Sequence, residues 1–279
     1  MTEAIKVVTL IDVIFVILLM MSGAYSGLIA ESVYCLAFAI PIAIGFYASK
    51  GLRIKREEIA GLAEPPETVL GFDRRRTTRL LPLIAPVVLT VLLVSLLTTF
   101  VLSLFGVEAA QVEDRGLVTM IVAHALAPAL LEEALFRYIP MKLLLPYSKR
   151  TCIIYSALCF ALIHCSFSQM PYAFIAGALF MMIDVAFDSV WPSVILHFVN
   201  NLTSVLMMKY CTDFVSTFVF LSAILLLCAV SFFFIFKKKK EYKNMLVGVW
   251  EKGEDFSMTY APLALVAICG YVAVVGLIQ

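Results

Sequence analysis

The chemistry in this chain centres on Glu132-Glu133-Ala134-Leu135-Phe136-Arg137, where two carboxylates and a guanidinium lie inside an apolar run from Leu117 to about Pro146. An ionised side chain at the centre of a bilayer costs about 2.5–3.5 kcal/mol on insertion scales. Three together imply a functional site with partners elsewhere in the chain. Glu133 and Arg137 are four residues apart in the favourable acid-first order. They can neutralise each other on one helical face. Glu132 is turned about 100° away from Glu133 and has no counter-charge on its own helix.

The histidines supply the candidate partners. The chain has three, His124, His164 and His197, all in apolar segments. Phe160 and His164 share a helical face, as do His197 and Asn201. An unpaired carboxylate in an apolar setting suits a general base. A water between Glu132 and His164 could be activated by the carboxylate. Donors on His197 and Asn201 could then stabilise the oxyanion of a tetrahedral intermediate. That chemistry is amide hydrolysis in a membrane cavity, with Glu133, Arg137 and Phe160 as supporting residues.

Other readings of these residues compete with that one. Two histidines and a glutamate are also a zinc ligand set. The chain has no HExxH, and the three residues come from different segments, so no cofactor is expected and zinc is the alternative. His124 stands alone and reads as a hydrogen-bonding partner for a neighbouring helix. Pro128 deprives its carbonyl of the usual helical donor, so a local kink is expected. Asp184 could support the site from behind, whereas Asp188 begins a turn. No GxSG or GxGD sequence offers a serine or aspartyl mechanism. Cys165 follows His164 directly, so their side chains diverge by about 100° and form no dyad.

The elements that must position these residues are membrane helices. Of 279 residues, 62% are hydrophobic and 15% charged, with mean hydropathy +1.00. A soluble domain is nearer 45–50% apolar and about 25% charged. Net charge is +1, so no nucleic-acid partner is expected. Seven scattered cysteines without CxxC spacing read as small apolar residues. Nine segments approach the roughly 20 apolar residues that a span needs: 7–28, 32–48, 80–105, 117–146, 152–167, 171–187, 192–208, 214–236 and 259–278. The expected fold is therefore all-α, a polytopic transmembrane bundle of 8–9 spans with a catalytic cavity between helices. Its expected parts are 1–116, with a basic cytoplasmic loop; 117–208, the catalytic core; and 209–279, with a polybasic connection.

Charge orients the bundle. The connection 50–79 carries eight Lys or Arg residues, and Lys149-Arg150 and Lys237-Lys238-Lys239-Lys240 form two further clusters. The connection 106–116 is acidic. Basic connections stay on the cytoplasmic side, so the acidic one lies outside. Glu132 lies 14 residues before Pro146 and His164 lies 13 after Thr151, so both are about 20 Å from that connection and at matched height. A cavity opening to the cytoplasm is expected.

Taken in order, Glu132-Glu133-x-x-x-Arg137, Phe160-x-x-x-His164 and His197-x-x-x-Asn201 resemble the three signature motifs of the CAAX protease and bacteriocin-processing family, also called the ABI family. The resemblance covers about 123–208, and no signature position departs from the pattern. It implies a glutamic-type intramembrane endopeptidase in which Glu132 is the water-activating base beside His164. His197 and Asn201 would form the oxyanion pocket, and Glu133 and Arg137 would support it. The implied partner is a hydrophobic or lipidated peptide or protein within the lipid bilayer. A bacterial plasma membrane is the expected location, and peptide maturation or bacteriocin self-immunity are roles the family suggests. A non-catalytic scaffold or immunity factor of the same fold is the alternative. A proton-coupled transporter fits less well, because no internal repeat is evident.

Overall fold

In a computed structural model of the chain, the described residues are 1–23, 27–57, 74–107, 116–249, 265–267, 269, 270 and 272. The architecture among them is all helical, as expected. The helices are α1 (Thr2–Gly23), α2 (Gly27–Glu57), α3 (Arg74–Ser103), α4 (Leu117–Leu143, a continuous helix of alternating α and π turns), α5 (Lys149–Leu162), α6 (Met170–Phe187), α7 (Trp191–Tyr210), α8 (Phe214–Lys237) and the short α9 (Lys239–Val247).

Among the described residues, six helices are long and apolar enough to cross a membrane: α1, α2, α3, α4, α6 and α8. This is fewer than the eight or nine spans expected. The apolar run 152–167 forms a helix of only 14 residues. It ends because Cys165 takes a left-handed backbone conformation with φ 47°, which a non-glycine residue adopts at a cost. The run 192–208 lies within a 20-residue helix, but His197, Asn200, Asn201 and Lys209 lower its hydropathy. Most of 259–278 lies outside the described residues.

The packing rests on two apolar clusters. The larger joins α1, α2, α4 and α5 through Phe15, Phe38, Phe136 and Phe160. Phe15 meets Phe38 edge-on at 4.8 Å and Phe136 at 5.7 Å. The second joins α3, α6 and α7 through Leu80, Val87, Phe180, Ile183 and Leu196. Gly177 lets α5 and α6 approach closely, since a Cβ there would stand 3.0 Å from the Ala157 Cα. One charged residue in α1 had no place in the sequence argument. Asp12 is buried against Cys159 of α5, near the Thr9–Tyr155 hydroxyl contact.

The basic connections come together at one end of the bundle. Lys149 Nζ donates to the Gly248 carbonyl at 2.8 Å. Arg79, near the start of α3, pairs with Glu241 of α9, and Tyr242 donates to the Arg79 carbonyl at 2.9 Å. The α6–α7 turn lies at this end too, because Ala186 and Phe187 share a pocket with Arg79 and Glu241.

Candidate active site

Helix α4 carries the carboxylates, and two prolines shape it. A π turn covers Ile121–Leu126 just before Pro128, and another covers Ala134–Tyr138 just before Pro140. Proline lacks the N–H that would bond the carbonyl four residues back. For Pro140 that carbonyl belongs to Phe136. It is satisfied from the side by Ser156 Oγ at 2.5 Å and Arg137 Nη1 at 3.3 Å. The missing backbone bond thereby ties α4 to α5. The disturbance expected at Pro128 takes the form of the first π turn.

The expected ion pair is present. Arg137 Nε lies 3.2 Å from Glu133 Oε2, and both side chains are fully buried. The guanidinium also lies over the Phe160 ring, 4.5 Å from its centroid. His197 is bound more tightly than the spacing suggested. Its Nδ1 donates to Glu133 Oε1 at 2.7 Å, while Nε2 stands 3.8 Å from Glu132 Oε2. One histidine therefore joins the brace to the candidate base.

Phe160 organises the remaining rings. It meets His164 edge-on at 5.1 Å and His197 at 5.7 Å. His164 Nδ1 bonds the Phe160 carbonyl at 2.7 Å. A carbonyl oxygen only accepts, so Nδ1 carries the proton and a neutral ring leaves Nε2 as an acceptor. Asn200 Nδ2 donates to Asn201 Oδ1 at 3.3 Å, which leaves the Asn201 amide N–H groups as donors to the site.

These side chains converge on one cavity of about 250 Å³, lined by Glu132, His164, His197 and Asn201 from two helices and the α5–α6 connection. Glu133 and Arg137 lie behind its wall, and Phe160 forms part of it. Asp184 stands further back. Its Oδ1 accepts from Ser193 N–H at 2.9 Å, so it caps the start of the helix that carries His197. Asp188 ends α6 in a left-handed conformation, φ 49°.

His124 was the residue the sequence argument misplaced. It lines the cavity together with Pro128 and Glu132. In a regular helix, positions eight apart differ by about 80°. A π turn acts as one inserted residue, so the intervening stretch behaves as about seven steps and the two faces nearly coincide. Gln169, Tyr172 and Asn200 are further lining residues that the motifs did not mark. Pro128 four residues before Glu132 was the available signal. No three His, Cys, Asp or Glu side chains among the described residues are placed to share a metal ion.

A bundle with several helices long and apolar enough to cross a membrane is that of an integral membrane protein, and its polar cavity lies between such helices and their neighbours. Residues 114–203 match the family model described as Type II CAAX prenyl endopeptidase Rce1-like. The match includes every motif residue above and supports a CAAX-type intramembrane endopeptidase as the general class of activity. Neither the curated proteins nor the solved structures gave a match.

Proposed function

We propose that the protein is an intramembrane endopeptidase that hydrolyses a peptide bond with a water activated by Glu132. The observation carrying this reading is the convergence of Glu132, His164, His197 and Asn201 on one cavity. Glu132 Oε2 takes a proton from the water as its oxygen attacks the carbonyl carbon. His164 Nε2, left as an acceptor by the Phe160 carbonyl, orients the water's other hydrogen. Asn201 Nδ2 donates to the oxyanion. His197 can do so from Nε2 only while its ring carries both protons, because Nδ1 is committed to Glu133. Collapse of the intermediate breaks the C–N bond, and Glu132 returns its proton to the departing amine.

Glu133 and Arg137 position His197 rather than touch the substrate. No step requires a metal. A bacterial membrane and a hydrophobic or lipidated peptide substrate remain part of the proposal. The test is cleavage of a hydrophobic peptide by purified protein. Glu132→Gln should lower kcat by at least about a thousandfold, the order of a lost general base, with unchanged thermal stability. Turnover near wild type in that variant defeats the mechanism. A family phenotype such as immunity that survives Glu132→Gln would instead identify a binding role.

A further inference from the structure

We infer that the outward face of helix α9 (Lys239–Val247) binds the anionic phospholipid headgroups of the bilayer that α8 crosses. This role is independent of the chemistry in the cavity.

The bundle fixes one side of α9 and leaves the other open. Tyr242 is buried and donates to the Arg79 carbonyl at 2.9 Å. Glu241 pairs with Arg79, and Met245 lines a cavity with Arg79 and Phe187. Just past the helix, the Gly248 carbonyl accepts from Lys149 Nζ at 2.8 Å. These contacts tie α9 to the starts of α3 and α5 and to the end of α6. At about 100° per residue, Leu246, Lys239, Lys243, Val247 and Lys240 follow one another around the opposite side within about 120°. All five are exposed, Leu246 by 41% and Val247 by 65%.

Charge on that face has one sign. The acidic side chain of α9, Glu241, is turned to the bundle, where Arg79 engages it and Lys238 stands 3.8 Å away. Among the described residues no carboxylate pairs with Lys239, Lys240 or Lys243. Lys239 instead lies 5.7 Å from the centroid of the Phe236 ring. Lys239 and Lys243 are four apart, and Lys240 and Lys243 three apart, on a helix of nine residues. Like charges at that spacing destabilise a helix, and anions opposite them reverse the effect.

The place of α9 in the chain selects the anion. Helix α8 is 24 residues long, apolar enough to cross the membrane, and ends at Lys237. The backbone leaves helical geometry at Lys238, φ −108° and ψ 24°, before α9 begins. Lys237 and the lysines after it therefore stand where hydrocarbon gives way to headgroups. On the outward face of α9 the ammonium groups meet phosphates, while Leu246 and Val247 reach the apolar boundary beneath them. Cations and apolar side chains together on one exposed face suit a helix lying in the interface of an anionic membrane. A soluble acidic partner would meet the same lysines but leave Leu246 and Val247 in water. The membrane thus holds α9, and α9 holds the starts of α3 and α5.

The test uses full-length protein in vesicles of equimolar phosphatidylcholine and phosphatidylglycerol. A benzophenone amino acid takes the place of Val247, and lipid adducts formed on illumination are identified by mass spectrometry of the peptide that carries it. Phosphatidylglycerol adducts should exceed phosphatidylcholine adducts at least about fivefold, the factor that one Lys contributes near an anionic surface. The preference should vanish in the triple variant Lys239→Gln, Lys240→Gln and Lys243→Gln, and also in about 1 M salt, where the screening length is about 3 Å. Arginine at the same three positions should preserve it. Equal adducts of the two lipids at low salt overturn the preference for anions. An undiminished preference in the glutamine variant overturns the role of these lysines, and absence of lipid adducts overturns contact with the bilayer. The salt comparison leaves the lysines in place, so it decides the matter if the glutamine variant does not fold.

Discussion

Glu133→Gln isolates the energetic role of the buried ion pair. The substitution keeps an acceptor for His197 Nδ1 but leaves Arg137 without its carboxylate. Both side chains are fully buried, with 3.2 Å between Nε and Oε2. The Phe160 ring remains 4.5 Å from the guanidinium, and it offsets only part of the loss, about 0.5–2 kcal/mol for a cation over a ring. Stranding one member of a buried pair costs about 3–5 kcal/mol. Removing both charges, in Glu133→Gln with Arg137→Met, takes away the stranded charge as well. The double variant should recover about 2–3 kcal/mol relative to the sum of the single changes, within the range for contacting residues. Thermal unfolding in detergent micelles reads the effect. At about 2–4 °C per kcal/mol for chains of 150–250 residues, Glu133→Gln should lower Tm by roughly 6–20 °C. A Tm within about 2 °C of wild type would refute the reasoning, since the stranded charge alone predicts three times that or more. Strict additivity in the double variant would show that the two side chains act independently.

Gly177→Ala should destabilise by about 1–3 kcal/mol through overpacking against the Ala157 backbone, and the displaced Phe160 should lower kcat more than it raises KM. Asp184→Ala should cost about 0.5–2 kcal/mol as a lost helix cap, measured as a lower Tm, whereas Asp184→Asn should retain most of the stability because it still accepts from Ser193 N–H. Excess chelator followed by elemental analysis should leave full activity and no bound metal; activity lost to chelator and restored by zinc would reject the metal-free mechanism.

Pairwise chemistry within one helix was legible from spacing. Glu133 and Arg137 meet as their four-residue interval requires, and Phe160 and His164 share a face. Contacts between helices were less so. Nothing in local spacing assigns the Nδ1 proton of His197 to Glu133, because α4 and α7 are brought together by packing distributed along both. His124 was lost for a different reason. Periodicity assumes about 100° per residue, and a π turn breaks that assumption. The expected span count is not confirmed where hydropathy and helix length part company. Residues 152–167 are mostly apolar, yet the helix stops at Leu162 and Cys165 takes a left-handed backbone conformation. Apolar sequence records the surrounding solvent, not where a helix ends. Depth counted from one connection gave matched heights for Glu132 and His164, and both line one cavity.

The π turn at Ile121–Leu126 also bears on which length changes the chain can accept. A π turn is an α-helix carrying one surplus residue. Deleting Ala125 there would restore regular winding, seven α steps replacing eight steps through the π turn, so His124 would keep facing the cavity that Glu132 lines. A second π turn covers Ala134–Tyr138, and the loss of one residue within it would leave Glu133 and Arg137 three apart, still neighbours on one face. Helix α4 therefore carries two segments in which the chain can lose a residue without turning its polar side chains away from one another.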